Sequence, residues 1–213
     1  FKRRAGGSLG FARLFEVLAT KAKLAAVTIP SYSRCEGWKM IGKFRRIPQG
    51  HSAIKLGSQW HLLDVFFCSR YTQDTLPCED YFLCPAGQFI YTHLPVDSEW
   101  QLRGDFVVSM GDFMKLPQIE RPFIEHGMEL VSHTELIIDA QGQSIIDIEL
   151  ESPEGIYFQA FVVTSHGRSP GIVMAHKRTV RVRVAMPEDY TPGSLAEIAI
   201  YSCEGEDGEG DYT

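Results

Sequence analysis

A serine, a histidine and an aspartate stand in that order at Ser8, His51 and Asp64, with intervals of 43 and 13 residues. Together these residue types can perform nucleophilic catalysis. A histidine within hydrogen-bond reach of a hydroxyl or thiol takes its proton. A carboxylate on the far ring nitrogen orients the imidazole and stabilises its cation. Ser8 opens a helical pattern, and a helix N-terminus favours an anion and lowers the pKa of a thiol placed there. His51 opens one apolar run and Asp64 ends the next, so a short turn between them brings the two side chains close across neighbouring strands.

The remaining reactive residue types form weaker patterns. Gly6-Gly7-Ser8-Leu9-Gly10 matches GxSxG, the nucleophile elbow of α/β-hydrolases. It follows Phe1-Lys2-Arg3-Arg4-Ala5 rather than a buried strand, and no parallel βαβ array comes after it, so the hydrolase reading is set aside. The five cysteines, Cys35, Cys68, Cys78, Cys84 and Cys203, are odd in number and contain no CxxC pair. This argues against a zinc site or a disulfide framework and for a reducing compartment. Cys78 and Cys84 bracket a short apolar run and read as small half-buried residues. The seven histidines contain no HxxxH or HExxH, and no metal or organic cofactor is expected.

The elements that must position these residues follow from periodicity. Phe11, Phe15, Leu18 and Ala22 recur on one face over residues 8–24, which predicts an amphipathic helix with Ser8 as its cap. Residues 25–32 predict a short strand broken at Pro30. His51–Lys55 and Trp60–Phe67 predict a hairpin around Gly57-Ser58, and Tyr81-Phe82-Leu83 a short strand before a helical turn over 86–92. Trp60, Tyr81, Phe82, Phe89 and Trp100 read as core, and His93 as a loop or packing histidine. After residue 104 helical periodicity disappears. Strands are predicted over 128–139, 143–151, 156–164, 172–176, 178–186 and 195–201, with turns near Gly142, Gly155, Ser169-Pro170-Gly171 and Thr191-Pro192-Gly193. Such a run of short strands predicts a β-sandwich. Arg178, Arg181 and Arg183 mark a solvent face that acids such as Glu149 and Glu151 can balance.

Composition supports two domains of different surface. The 213 residues are 44% hydrophobic and 23% charged, which excludes coiled-coil, collagenous and wholly disordered chains. No apolar run approaches the ~18–20 residues of a membrane span. The net charge of −6 divides into +6 over residues 1–104 and −12 over 105–213, and residues 1–46 alone carry 11 basic and 2 acidic side chains. The basic part suits an acidic partner such as a protein filament. Its clusters are short and lack stacking aromatics, so nucleic acid is not expected. Residues 204–213 form an acidic, glycine-rich tail expected to be mobile. The chain begins at Phe1, not Met, which reads as a fragment from which any targeting signal is missing.

Several segments also resemble one family. Gly10-Phe11-Ala12-Arg13-Leu14-Phe15 is similar to the GYA-x-LF segment of transglutaminase-like domains, His51-Ser52-Ala53-Ile54 to their HAWN segment, and Trp60–Val65 to W-x-LiDvtW. Tyr81–Pro85, Phe89–Pro95 and Trp100-Gln101-Leu102 resemble the closing stretch of the kyphoscoliosis peptidase branch. The resemblance implies an α+β transglutaminase-like core of the papain-like superfamily over residues 1–112. An all-β immunoglobulin-like sandwich over 113–203 and the tail over 204–213 would follow.

The departures from the family pattern bear on chemistry. The family's catalytic Cys falls at Ser8, and Ala53 and Ile54 replace the Trp and Asn of HAWN. A thiol is a few per cent ionised near neutrality, whereas a serine hydroxyl is not. Cys35, only 16 residues before His51, does not easily substitute. The implied function is a catalytically inactive, cytoplasmic, cytoskeleton-associated scaffold with protein partners, in which His51 and Asp64 persist as a hydrogen-bonded structural pair. Two alternatives stay open: an enzyme that uses Ser8, His51 and Asp64 for acyl transfer or peptide hydrolysis, and a cysteine enzyme in which Ser8 replaces the nucleophile.

Overall fold

The computed structural model describes residues 7–34, 49–70, 81–104, 106–140, 142–188, 190 and 194–204. Cys35, Cys78, the basic clusters Lys2-Arg3-Arg4 and Arg45-Arg46, the turn at 191–193 and the tail after Glu204 lie outside them. The fold is mixed α and β. It divides into two compact units, Phe1–Leu116 and Pro117–Thr213.

In the first unit, helix α1 (Ser8–Lys21) packs on a four-stranded antiparallel sheet. Its strands are β1 (Ala26–Ser33), β2 (Gln49–Leu56), β3 (Gln59–Leu63) and β4 (His93–Pro95), in the order β3-β2-β1-β4. The hairpin forms as its turn residues predict. Leu56 pairs with Gln59 around Gly57 and Ser58, and Gly57 takes the positive φ of +61° that a two-residue turn requires. The strand does not break at Pro30. Its carbonyl accepts from Val96 N–H at 2.9 Å, so its ring nitrogen faces the same side, where β4 has already ended at Pro95. The missing N–H therefore removes no ladder bond.

The buried face of α1 is rotated from the expected one. Ser8, Ala12 and Ala19 are buried, whereas Leu18 is 57% exposed and Ala22 is also exposed. Close approach is the reason. A Cβ on Gly50 of β2 would stand 2.7 Å from the Cα of Leu9, and only small side chains fit between helix and sheet at that spacing. The bulky residues are turned outward or left half-buried.

Beyond β3 the chain departs from the second predicted run. Val65–Arg70 is helix α2, and Tyr81-Phe82-Leu83 is a turn with one isolated bridge, Leu62 to Cys84. Phe82 is exposed rather than core, Trp60 and Trp100 are half-buried with their rings edge to face at 5.2 Å, and Tyr81 and Phe89 are buried. Helix α3 (Ala86–Phe89) leads into β4, and a 3-10 turn (Ser98–Gln101) follows. Two short helices, α4 (Met110–Phe113) and α5 (Arg121–Glu125), lie where no helical periodicity was visible. Each is too short to display a repeat. A Ser109–Asp112 capping box fixes α4.

The second unit has two antiparallel sheets. One has the order β5-β6-β10-β9 and the other β11-β7-β8. The ranges are β5 (Glu129–Leu130), β6 (Ile145–Glu151), β7 (Ile156–Thr164), β8 (Gly167–Pro170), β9 (Ile172–His176), β10 (Thr179–Ala185) and β11 (Glu197–Glu204). The predicted strand over 128–139 shrinks to two residues. Ser169-Pro170-Gly171 is no hairpin turn, since the chain passes there from β8 in one sheet to β9 in the other.

Alternation decides which side chains share the core. Ile146, Ile148 and Leu150 of β6 and Val180, Val182 and Val184 of β10 meet Ala160 and Val162 of β7. The opposite faces carry the charges. Arg183 makes two hydrogen bonds to Asp147 at 2.7 and 2.8 Å, and Arg181 one to Glu149 at 3.0 Å. Such exposed pairs contribute about 0–1 kcal/mol each, so the valine ladder, not the charge ladder, holds the unit together.

Gly171 is the crossing point, and a Cβ there would meet Val184 Cγ1 at 2.9 Å, Arg183 O at 3.0 Å and Ala160 Cβ at 3.2 Å. Two of those neighbours cannot rotate away. Gly171→Ala is expected to destabilise the protein by about 1–3 kcal/mol through overpacking, measured as a fall in the urea midpoint. Gly155→Ala, with nothing within 4 Å but a φ of +87°, separates overpacking from the cost of positive φ.

Candidate functional site

Helix α1 begins one residue earlier than a serine cap would place it. Gly7 is the N-cap, and its side chain supplies no hydrogen bond. Ser8 is the first helical residue. Its buried hydroxyl oxygen accepts from Gly50 N–H at 3.2 Å, which ties the helix start to β2 beside His51.

His51 lies on β2 opposite Ile29 of β1. Its side chain is completely buried, and Nδ1 is 2.9 Å from Ser31 Oγ. Nε2 has no hydrogen-bond partner among the described residues. Burial first, and then the charge of His93, push its pKa well below the ordinary histidine value. His51 is therefore neutral at neutral pH. With Nδ1–H donated to Ser31, Nε2 keeps a lone pair, as a general base requires. What it lacks is a carboxylate behind it, because a hydroxyl can orient an imidazole but cannot offset the charge of an imidazolium.

The carboxylate is committed elsewhere. Asp64, 2% exposed, follows β3 immediately and caps α2. Its Oδ1 accepts from Phe66 N–H at 2.8 Å and Phe67 N–H at 3.0 Å, the pattern of an aspartate N-cap. Its Oδ2 is 3.0 Å from Nε2 of His93. His93 is 1% exposed, stacks on the Phe89 ring at 4.3 Å, and places Nδ1 2.9 Å from Thr92 Oγ1. The Thr92 hydroxyl in turn donates to Phe89 O at 3.2 Å. Nε2–H donates to Asp64, and Nδ1 shares a hydrogen bond with the Thr92 hydroxyl.

The expected His51–Asp64 pair is thus not formed. The acid pairs with His93, and His51 pairs with Ser31. The backbone diverges at the same point. The hairpin ladder ends at Ser52–Leu63, and Asp64 N–H turns to Tyr81 O at 2.8 Å. The structure brings Ser8 to the rim of this cluster through Gly50, and His51, His93 and Asp64 into its interior. His51 and His93 have ring centroids 5.7 Å apart.

The sequence reading missed His93 because β4 has only three residues, too few to show alternation. Thr92 beside His93 was the available signal. Cys84 is buried rather than half-buried, and Cys68 and Cys203 are buried as well. Among the described residues no group of three or more His, Cys, Asp or Glu is placed to hold a metal ion, and no helix is long and apolar enough to cross a membrane.

The chain is similar to kyphoscoliosis peptidase. Identity to the mouse protein (Mus musculus) is 30% over 167 residues, which is 74% of this chain and 25% of that protein. The human protein (Homo sapiens) gives 29% over 168 residues, with the same two coverages. Hillarin of Drosophila melanogaster is 26% identical over 140 residues, 57% of this chain and 17% of hillarin. The homology is weak, and the chain spans about a quarter of the length of the kyphoscoliosis peptidases it matches. No family model matches the chain.

Burial of a neutral histidine sets a pH dependence. The folded pKa of His51 is depressed, while the unfolded chain titrates near ~6.5. The contribution is fully present above about pH 6.5 and is lost as pH falls from there through the folded pKa, by up to about 1.4 kcal/mol per pH unit. His51→Gln is expected to remove that component. Urea midpoints between pH 7.5 and 5 should fall less steeply for the variant than for wild type, and parallel curves would refute the assignment.

Proposed function

We propose that the chain is a transglutaminase-like protein of the kyphoscoliosis peptidase branch that has lost nucleophilic catalysis and serves as a cytoskeleton-associated binding scaffold. Residues 1–112 are read as its transglutaminase-like domain, 113–203 as an immunoglobulin-like sandwich and 204–213 as an acidic tail. One observation carries the reading. The residue at the first position of α1, where the resembling family has its catalytic cysteine, is a serine whose oxygen accepts a hydrogen bond from Gly50. Among the described residues no base is hydrogen-bonded to that hydroxyl to take its proton. A hydroxyl needs more help than a thiol, and with His51 neutral, backed only by Ser31, the site supplies less.

Intact mass after exposure to a fluorophosphonate tests this directly. No adduct is expected on wild type. An adduct on Ser8 that His51→Ala abolishes would restore the reading of a serine enzyme for acyl transfer or peptide hydrolysis. Rapid His51-dependent alkylation of Ser8→Cys would mark a cradle that lacks only its thiol.

The partner class follows from charge. Residues 1–46 carry 11 basic against 2 acidic side chains, and the reading assigns them to an acidic protein filament in the cytoplasm, not to nucleic acid or membrane. Surface attraction of that kind is screened within about 10 Å at 0.1 M salt. Co-sedimentation with an acidic filament is expected to weaken at least tenfold between 50 and 300 mM salt. Salt-insensitive co-sedimentation would count against the electrostatic part.

A further inference from the structure

The buried cluster contains one carboxylate and two histidines, and the hydrogen bonds allot the carboxylate to the histidine that the catalytic pattern does not use. We infer that His93 is a positioning residue that withholds Asp64 from His51. By donating to Oδ2 it fixes the acid on β4 and leaves His51 without a counter-charge. The inference deepens the reading of lost catalysis, and rests on it, by adding a second cause beside the missing thiol.

Three observations carry it. First, His51 and Asp64 are the next rung after the last hairpin pair, Ser52–Leu63. Opposed residues on an antiparallel pair stand with Cβ atoms about 4.5–5.5 Å apart, so the acid sits at the place in the hairpin that would serve His51. Second, both Asp64 carboxylate oxygens already have other partners, two α2 amides on Oδ1 and His93 on Oδ2. Third, the buried Nε2 of His51 is left with no hydrogen-bond partner among the described residues, while His93 engages both ring nitrogens. The titratable groups set against His51 are His93 and, through it, Asp64. The Tyr81 ring lies 5.7 Å from that of His93, and the Phe89 ring 4.9 Å from that of His51.

Two substitutions separate the donor from the charge. His93→Gln removes the charge but keeps a side-chain donor for Asp64. His93→Phe removes both and keeps a ring to stack on Phe89. The readout is the proton affinity of His51, followed by NMR titration of its ring proton in the intact chain. The affinity is expected to rise at least tenfold more in His93→Phe than in His93→Gln. The extra rise should vanish in His93→Phe/Asp64→Asn, because only a freed carboxylate can produce it. Equal rises in the two single variants would mean that His93 acts through charge alone and would overturn the inference.

If His93→Phe does not fold, Asp64→Asn in the otherwise wild-type chain still decides. The affinity of His51 is expected not to fall, and a tenfold fall would show that Asp64 already serves His51. These titrations do not involve Ser8. A fluorophosphonate adduct on wild type would sink the reading of lost catalysis and leave this inference standing.

Discussion

The Asp64 carboxylate is the point on which the first unit turns. One oxygen satisfies two otherwise orphaned amides of α2, and the other holds the His93 imidazole. Asp64 directly follows β3 and His93 opens β4, and these are the two edge strands of the sheet. In a flat sheet three spacings of about 4.8 Å would separate those edges by about 14 Å, beyond the reach of an aspartate and a histidine. Asp64 has left the ladder, with its N–H turned to Tyr81 O, and β2 and β1, with His51 and Ser31, lie between the two strands in the sheet order. Removing one partner of such a buried pair typically costs about 3–5 kcal/mol, far more than an exposed pair such as Arg183–Asp147 in the second unit.

Chemistry at the site follows from how few acceptors it has. A carboxylate can satisfy a helix start, hold one cationic histidine, or brace a second histidine, but it has only two oxygens. Here both are committed, and His51 makes do with a hydroxyl. Desolvation then acts without opposition and keeps His51 neutral. The serine at the start of α1 is held to β2 by the Gly50 amide, so its oxygen serves as an acceptor that fixes helix to sheet. Each of these is a sound structural use of a group that catalysis would use differently.

Much of this was legible in the residues, and the misses have particular causes. The hairpin was readable because Gly57-Ser58 demands a two-residue turn, and β9 and β10 because Val180, Val182 and Val184 alternate with arginines. The face of α1 was misjudged because periodicity weighs bulk, whereas the contact with Gly50 selects Ser8, Ala12 and Ala19 for smallness. Pro30 read as a strand end because a sequence does not say which side of the strand its nitrogen faces. The rung that set His51 against Asp64 was counted correctly, but the ladder stops one pair short, at a carbonyl of Tyr81 that no local pattern announces. His93 was read as a loop or packing histidine and not as a partner of Asp64, which stands 29 residues away in the chain.

Buried polar atoms without a hydrogen-bond partner among the described residues include Ser52 Oγ as well as His51 Nε2. A buried polar nitrogen without a partner costs on the order of 1–3 kcal/mol, and His51 Nε2 is such an atom among the described residues. A cluster shaped only for stability gains nothing from it, because an apolar side chain against Phe89 would remove the cost. A general base needs such a lone pair. Every group around it, Ser8, Ser31, His93 and Asp64, has meanwhile found a structural partner. The site thus holds a neutral histidine with an open lone pair, while the carboxylate beside it is bonded to His93.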